Sequence, residues 1–169
     1  MLELQHIETI TLNDFEKQFF DCYARTFPYL VDKASVYIRL SGASLLNELG
    51  ADITLEQFIT LDAISANNEV CQRDLAKILL KDRSNVTRII NILENKGLIT
   101  RETTNKGKRA VKITHLTEMG QLVMDKYANI MKQDLNNLMS EFNPEELAIT
   151  EKILKGIAEK ISKKANIQI

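Results

Sequence analysis

The chain is poor in the residues that build turn-rich or disulfide-linked proteins. Its 169 residues include six glycines, two prolines and two cysteines. So few glycines and prolines argue against an all-β sandwich, whose tight turns need them, and favour long helices. Cys22 and Cys71 stand far apart, which suits a reducing compartment better than a disulfide framework. We therefore expect a cytoplasmic protein.

Several functional classes are disfavoured because their motifs are missing. No apolar run approaches the ~18 residues of a transmembrane helix, and the start, MLELQHIETI, lacks the basic segment of a secretory signal. His6 and His115 belong to no cluster with metal-ligand spacing. Neither a glycine-rich phosphate loop nor a G-x-S-x-G nucleophile motif is present. We expect no membrane segment, metal, cofactor or catalytic residue, and thus a protein that is not an enzyme.

Hydrophobic periodicity predicts a mainly α fold. The composition, 44% hydrophobic and 27% charged, is ordinary for a globular chain that buries its own core. We expect helices over about 14–48 (with a break at Thr26 or Phe27, before Pro28), 54–65, 72–80, 83–96, 117–140 and 144–164, and strands over 98–103 and 110–114. This order predicts a winged helix-turn-helix in residues 51–116, between an N-terminal arm and helices in 1–50 and C-terminal helices in 117–169. The flanking helices carry more apolar surface than so small a domain can bury, so we expect them to dimerise.

The predicted helix ends carry recognisable capping residues. Thr54 and Gln57 fit a capping box, while Asp82 and Thr117 precede helices as N-caps. Gly97 follows the helix that begins after Asp82 and is expected to end it.

Charge is unevenly distributed along the chain. Residues 70–115 contain 11 basic and four acidic side chains, a net charge of +7, whereas the rest contains 11 bases and 19 acids. A basic module in an acidic chain is typical of one DNA-facing surface on a larger body. The alternative is a basic face that is merely solvated, and charge alone does not separate the two.

The segment RSNVTRIINILENK, residues 83–96, predicts the helix that would enter DNA. Its apolar residues share one face, and the others are short hydrogen-bonding side chains and arginines, which suit phosphates and base edges. The hairpin that follows has a basic tip around residues 105–109. The expected DNA contacts are Arg73, Arg83, Ser84, Asn85, Thr87, Arg88, Lys106, Lys108 and Arg109.

The chain resembles the MarR family (multiple antibiotic resistance regulators). The resemblance rests on ITLEQF at 53–58, DLAKILLKDRSNVTRIINILENKGLI at 74–99 and HLTEMG at 115–120. Two departures stand out. The wing lacks the family's usual Asp, with Arg109 one residue further from Leu116, and Cys71 replaces the usual Ser or Thr cap.

The resemblance implies a homodimeric transcription regulator, usually a repressor, that binds a pseudo-palindromic operator on double-stranded DNA. It also implies release by a small, often phenolic, anion bound between the DNA lobe and the dimer helices. Tyr37, Arg39, Phe58 and Asp62 are the effector-binding residues suggested by that geometry.

Two alternatives stay open. A winged-helix protein can act as a protein-interaction adaptor, although an adaptor needs no basic wing. A regulator of this family can also sense oxidants through a cysteine, and Cys71 at a helix N-terminus is a candidate thiol.

Overall fold

A computed structural model describes residues 26–67, 69–106 and 109–165. Its elements are α1 (Phe27–Glu48), α2 (Leu55–Ser65), β1 (Val70–Cys71), α3 (Gln72–Ile78), α4 (Arg83–Asn95), β2 (Ile99–Lys106), β3 (Arg109–Leu116), α5 (Glu118–Met139) and α6 (Pro144–Ala165). The predicted mainly α chain with a winged helix-turn-helix is confirmed. Two compact units divide the chain, an N-terminal unit (Met1–Leu45) and a C-terminal unit (Leu46–Ile169).

Helix α1 begins where Pro28 predicted a break. The Thr26 carbonyl accepts a hydrogen bond from the Leu30 N–H at 3.2 Å, and its hydroxyl accepts one from the Tyr29 N–H at 3.4 Å. Pro28 lies in the first turn, where its missing N–H leaves no carbonyl unpaired. The helix predicted before residue 26 lies outside the described residues.

The N-terminal part of α1, residues 27–40, carries many exposed apolar side chains. Seven large hydrophobic residues are exposed there: Phe27, Leu30, Val31, Val36, Tyr37, Ile38 and Leu40. Two residues after the helix ends at Glu48, Gly50 turns the chain with a φ of +64°, which suits glycine. There the Ala51 N–H reaches back to the Leu46 carbonyl at 2.9 Å, which closes a Schellman motif.

The hydrophobic core of the C-terminal unit is formed largely by α2, α3 and α4. Leu61, Leu75 and Leu93, one from each of these helices, are fully buried. Helix α2 is held at its start by the predicted capping box, in which Thr54 and Gln57 exchange two hydrogen bonds of 3.3 Å.

The sheet has three antiparallel strands in the order β1-β3-β2. The hairpin pairs continuously from Ile99 opposite Leu116 to Lys106 opposite Arg109. The predicted strands were too short, because the alternating apolar pattern fades where both faces of the hairpin are exposed while the backbone pairing continues. Strand β1, only two residues long, was missed since it exists only through pairing with β3, far away in sequence.

Helices α5 and α6 bury few residues in this chain. Only Gly120, Met124 and Tyr127 of α5 are buried, and no residue of α6 is buried between positions 144 and 164. Their exposed apolar residues include Ile130, Leu135, Leu138, Ile149, Ile153, Leu154 and Ile161. Within the described ranges, no helix is both long enough and apolar enough to cross a membrane.

Candidate nucleic-acid interface

Asp82 organises the start of α4. Its carboxylate accepts a hydrogen bond from the backbone N–H of Asn85 at 2.8 Å and another from the Asn85 side-chain amide at 2.7 Å. These bonds, the backbone one foremost, hold the pKa of the Asp82 carboxyl below its ordinary value. The predicted N-cap is confirmed, and the Asn85 amide is already a donor within the protein.

Gly97 ends α4 as predicted. Its φ is +68°, its N–H donates to the Glu94 carbonyl at 2.9 Å, and the Leu98 N–H donates to the Leu93 carbonyl at 3.0 Å. This is a second Schellman motif, and it turns the chain directly from α4 into β2.

The turn between α3 and α4 contains a leucine in a left-handed conformation. Leu80 has a φ of +52°, and its side chain is 73% exposed. The Lys81 N–H donates to the Ala76 carbonyl at 3.0 Å, as in the two glycine-ended helices. Leu80 therefore occupies a position that usually favours glycine.

Thr87 faces α3 and bonds to it. Its hydroxyl donates to the Arg83 carbonyl at 2.7 Å and accepts a hydrogen bond from the Gln72 side-chain amide. The same amide donates to the Arg83 carbonyl at 3.2 Å. Gln72 thus fixes the first turn of α3 against the first turn of α4, a role that the sequence did not reveal since the two residues are 15 positions apart.

Three of the basic side chains counted in residues 70–115 form ion pairs with residues of other elements. Lys81 pairs with Glu56 of α2 at 2.6 Å, and Lys96 lies 3.2 Å from the Asp52 carboxylate. Arg101 of β2 contacts both carboxylate oxygens of Glu94 on α4. These ion pairs brace α4 and the hairpin, so they contribute to the scaffold of the basic surface.

The ion pair between Arg101 and Glu94 changes the pKa of both side chains. The hydrogen bond from Arg101 lowers the pKa of the Glu94 carboxyl, and the same bond raises the pKa of the Arg101 guanidinium. One of its hydrogen bonds, from the Arg101 Nε to Glu94, measures 3.0 Å. The pair ties the base of the wing to the last turn of α4.

Other bases remain exposed on α3 and α4. Arg73, Lys77, Arg83 and Arg88 are exposed, and Arg73 forms a long ion pair of 3.9 Å with its neighbour Asp74. The first three line a groove of about 580 Å³ at the helix-turn-helix corner. Lys77 was not among the expected contacts, although its position one turn after Arg73 puts it on the same side of α3.

The remaining predicted DNA contacts fall on two elements. Ser84 and Asn85 are exposed in the first turn of α4. Lys106 and Arg109 form the last described pair of the hairpin. Lys108 lies outside the described residues. The structure thus brings the recognition helix and the hairpin into one lobe, and the assignment of individual contacts stays a prediction.

The residues suggested for effector binding lie in different units. Tyr37 and Arg39 are exposed on α1 in the N-terminal unit. In the C-terminal unit Asp62 is exposed, whereas Phe58 is buried in the core. Their role in ligand binding stays a prediction.

A separate groove of about 550 Å³ lies within the C-terminal unit, beside the beginning of α5. Its apolar lining includes Leu98, Met119, Leu122 and Val123, and Lys96 and Lys126 are its basic residues. No sequence pattern predicts this groove, because its residues come from a loop, the end of α4 and α5.

Cys71 occupies the N-cap position of α3 and is buried. Its thiol lies 2.9 Å from an Asp74 carboxylate oxygen, to which it donates a hydrogen bond. Cys22 lies outside the described residues. Among the residues that are described, no group of three or more His, Cys, Asp or Glu side chains is arranged to hold a metal ion.

Known proteins share this arrangement. Residues 51–110 match the sequence model of the MarR family. The MepR–DNA complex of Staphylococcus aureus is 26% identical, with a TM-score of 0.71, over 80% of this chain and 98% of MepR. MarR of Escherichia coli, in its apo form, is 26% identical, with a TM-score of 0.61, over 78% of this chain and 96% of that one. AbsC of Streptomyces coelicolor shares the fold. It is 23% identical, with a TM-score of 0.71, over 80% of this chain and 91% of AbsC. The winged helix-turn-helix of this chain thus matches the MarR family in sequence over residues 51–110, and the fold around it is that of MarR-family transcription regulators.

Proposed function

We propose that the chain acts as a homodimeric repressor that binds a pseudo-palindromic operator in the cytoplasm. The observation that carries the proposal is the exposed basic surface of α3 and α4, formed by Arg73, Lys77, Arg83 and Arg88. It lies in the same lobe as a two-stranded hairpin with further bases at its tip. Cationic side chains around an exposed helix supply the phosphate contacts that hold a recognition helix in register.

MepR, which shares this fold and about a quarter of its residues, has been crystallised with DNA. That likeness supports DNA as the partner over a second protein. An adaptor would have no use for Arg83 and Arg88, which are exposed and form no ion pair with a described residue.

Dimerisation is proposed from the apolar residues that the chain leaves exposed. Helices α5 and α6 carry them over most of their length, and so does α1. A second copy would bury such surface, and a two-fold dimer presents two recognition helices to half-sites spaced about 34–36 Å apart. In this proposal residues 51–116 form the DNA lobe, and residues 1–50 and 117–169 form the dimer interface.

Effector-controlled release is proposed from the groove beside α5. An apolar lining that includes Lys126, which unlike Lys96 is in no ion pair with a described residue, suits a small organic anion, since burial favours its carbon skeleton and the ammonium group favours its charge. Tyr37 and Arg39 of α1, and Phe58 and Asp62 of α2, remain alternative proposed effector-binding residues. A titration with salicylate as the probe, measured by operator release, would distinguish these possibilities. Release that is lost in Lys126→Ala points to the groove beside α5, and release that is lost in Arg39→Ala points to the residues of α1.

Selection of bound sequences from a pool of random duplexes tests the DNA proposal, followed by fluorescence anisotropy at several salt concentrations. We expect a palindromic consensus, a dimer by light scattering, and an affinity that falls steeply with salt. Arg83→Ala should weaken binding to all sequences, whereas Lys152→Ala on α6 should leave it unchanged. Failure to enrich any duplex, or salt-insensitive binding, would contradict the proposal and favour an adaptor.

A further inference from the structure

One exposed stripe of α4 lies directly opposite its buried face. The buried face consists of Val86, Ile89, Ile90 and Leu93. At about 100° per residue, Ser84, Arg88, Asn91 and Asn95 fall within roughly 60° of one another on the other side of the helix. All four are exposed. When the buried face packs on the core, this stripe is therefore the part of α4 that projects furthest from the protein.

The composition of the stripe differs from that of a merely solvated helix face. Solvated faces commonly alternate acidic and basic residues, which pair along the helix. This stripe has no acid, one arginine and three short side chains that both donate and accept hydrogen bonds. Glu94, the acid of α4, lies to one side and is held by Arg101.

The neighbouring polar residues of α4 are already engaged. The Thr87 hydroxyl donates a hydrogen bond to the Arg83 carbonyl and accepts one from the Gln72 side-chain amide. The Asn85 amide donates to Asp82. In contrast, among the described residues the side chains of Arg88 and Asn91 contact no hydrogen-bond or ion-pair partner.

We propose that Ser84, Arg88 and Asn91 are the residues of α4 that read operator bases, and that Thr87 is a positioning residue. This assignment rests on the proposed DNA-binding function and deepens it. Arginine pairs in a bidentate manner with the O6 and N7 of guanine, and asparagine with the N6 and N7 of adenine. Each half-site should therefore contain a guanine read by Arg88 and an adenine read by Asn91.

The spacing of the two residues restricts where those bases lie. Arg88 and Asn91 are three residues apart, which is about 4.5 Å along the helix axis. A base pair occupies about 3.4 Å of DNA. The guanine and the adenine should consequently be within about two base pairs of each other in each half-site.

Selection of operator sequences with the full chain and its variants tests the assignment. The wild type should enrich both bases, and Asn91→Ala should lose the adenine preference, about 5- to 150-fold in relative affinity, and keep the guanine. Arg88→Ala should lose the guanine preference and keep the adenine preference, because it removes the bidentate donor to the O6 and N7 of guanine. Thr87→Val is the matched control, and it should keep every base preference even if its overall affinity falls.

The outcomes separate this assignment from the function on which it rests. A wild-type chain that enriches no sequence would overturn both. A wild-type consensus that Asn91→Ala leaves unchanged, or one that Thr87→Val alone flattens at a position, would overturn the assignment and leave DNA binding intact. Thermal melting of each variant accompanies the selection, and the exposed Arg88 and Asn91 variants should melt at the wild-type temperature.

Discussion

The hydroxyl of Thr117 donates a hydrogen bond to the carbonyl oxygen of Gly97, and the two oxygens are 2.6 Å apart. The Thr117 N–H also donates to the Leu98 carbonyl at 3.1 Å, and its hydroxyl accepts from the Gly120 N–H at 3.1 Å. The residue that ends α4 and the residue that begins α5 are thus joined directly. These bonds fix the start of α5 against the end of α4.

Gly120 makes this close approach possible. A Cβ at position 120 would lie 2.0 Å from the Leu98 carbonyl oxygen, which is backbone and cannot rotate away. We predict that Gly120→Ala lowers the free energy of unfolding by about 3 kcal/mol or more. Urea denaturation followed by circular dichroism measures the change.

Gly156 of α6 provides the matched control for Gly120. A Cβ there would have no atom within 4 Å, so Gly156→Ala should raise stability by about 0.5–1 kcal/mol through helix propensity alone. Equal effects of the two alanines would show that the contact with Leu98 is not what constrains position 120.

Replacing Leu80 by glycine should stabilise the protein. A left-handed conformation costs a non-glycine residue about 1–2 kcal/mol, and glycine relieves it at an entropic cost of about 0.5–1 kcal/mol. Since the Leu80 side chain is largely exposed, little burial is lost. We predict that Leu80→Gly raises the free energy of unfolding by up to about 1 kcal/mol and that Leu80→Val lowers it, as chemical denaturation would measure.

Leu122→Gly is a suitable comparison, since Leu122 is 62% exposed on α5 and has a helical backbone. That substitution should destabilise the protein by about 1 kcal/mol. Loss of stability in Leu80→Gly of the same size would mean that the leucine side chain makes a contact worth more than the backbone strain.

Acid should weaken the fold partly through the cap of α4. The pKa of Asp82 is lowered in the folded chain from an ordinary value of 3.8. The resulting stabilisation is fully present above that value and is lost as the pH falls through the lower, folded pKa. We predict that the urea midpoint of Asp82→Asn falls less than that of the wild type between about pH 5 and pH 2.

Asp134→Asn, a change on the exposed surface of α5 outside any cap, is the control for this experiment. Its pH profile should run parallel to the wild type. Identical acid profiles for wild type and Asp82→Asn would rule out a role for the cap in the pH dependence.

The wing should contribute mainly phosphate contacts. Each lost phosphate contact lowers the slope of log affinity against log salt by about one. We therefore predict that Arg109→Ala and Lys106→Ala each reduce that slope by about one without altering the selected sequence, as anisotropy titrations at several salt concentrations would measure. A slope that stays at the wild-type value in Arg109→Ala would remove that residue from the contact set.

Helix boundaries were readable from the sequence where the responsible bonds are local. The Thr54–Gln57 box, the Asp82 cap and the Gly97 stop each join residues only a few positions apart, so the residues that form them are adjacent in the printed sequence. Leu80 is the exception. It turns the chain without the glycine that normally marks such a turn, and it was read as part of a helix that ends two residues earlier.

What the sequence by itself determined is the series of helices, the basic module and the resemblance to a family, because local bonds, periodicity and motif spacing all lie along the chain. Only the tertiary structure decided which polar residues are available to a partner. Thr87 and Arg88 are neighbours, and the sequence predicts both as DNA contacts. In the structure, Gln72 from the preceding helix is hydrogen-bonded to Thr87, whereas Arg88 is exposed. Likewise Lys96 and Arg101 were counted as basic residues of the DNA-facing module until folding placed Asp52 and Glu94 beside them. Contacts between residues far apart along the chain depend on packing, and a one-dimensional pattern does not encode them visibly.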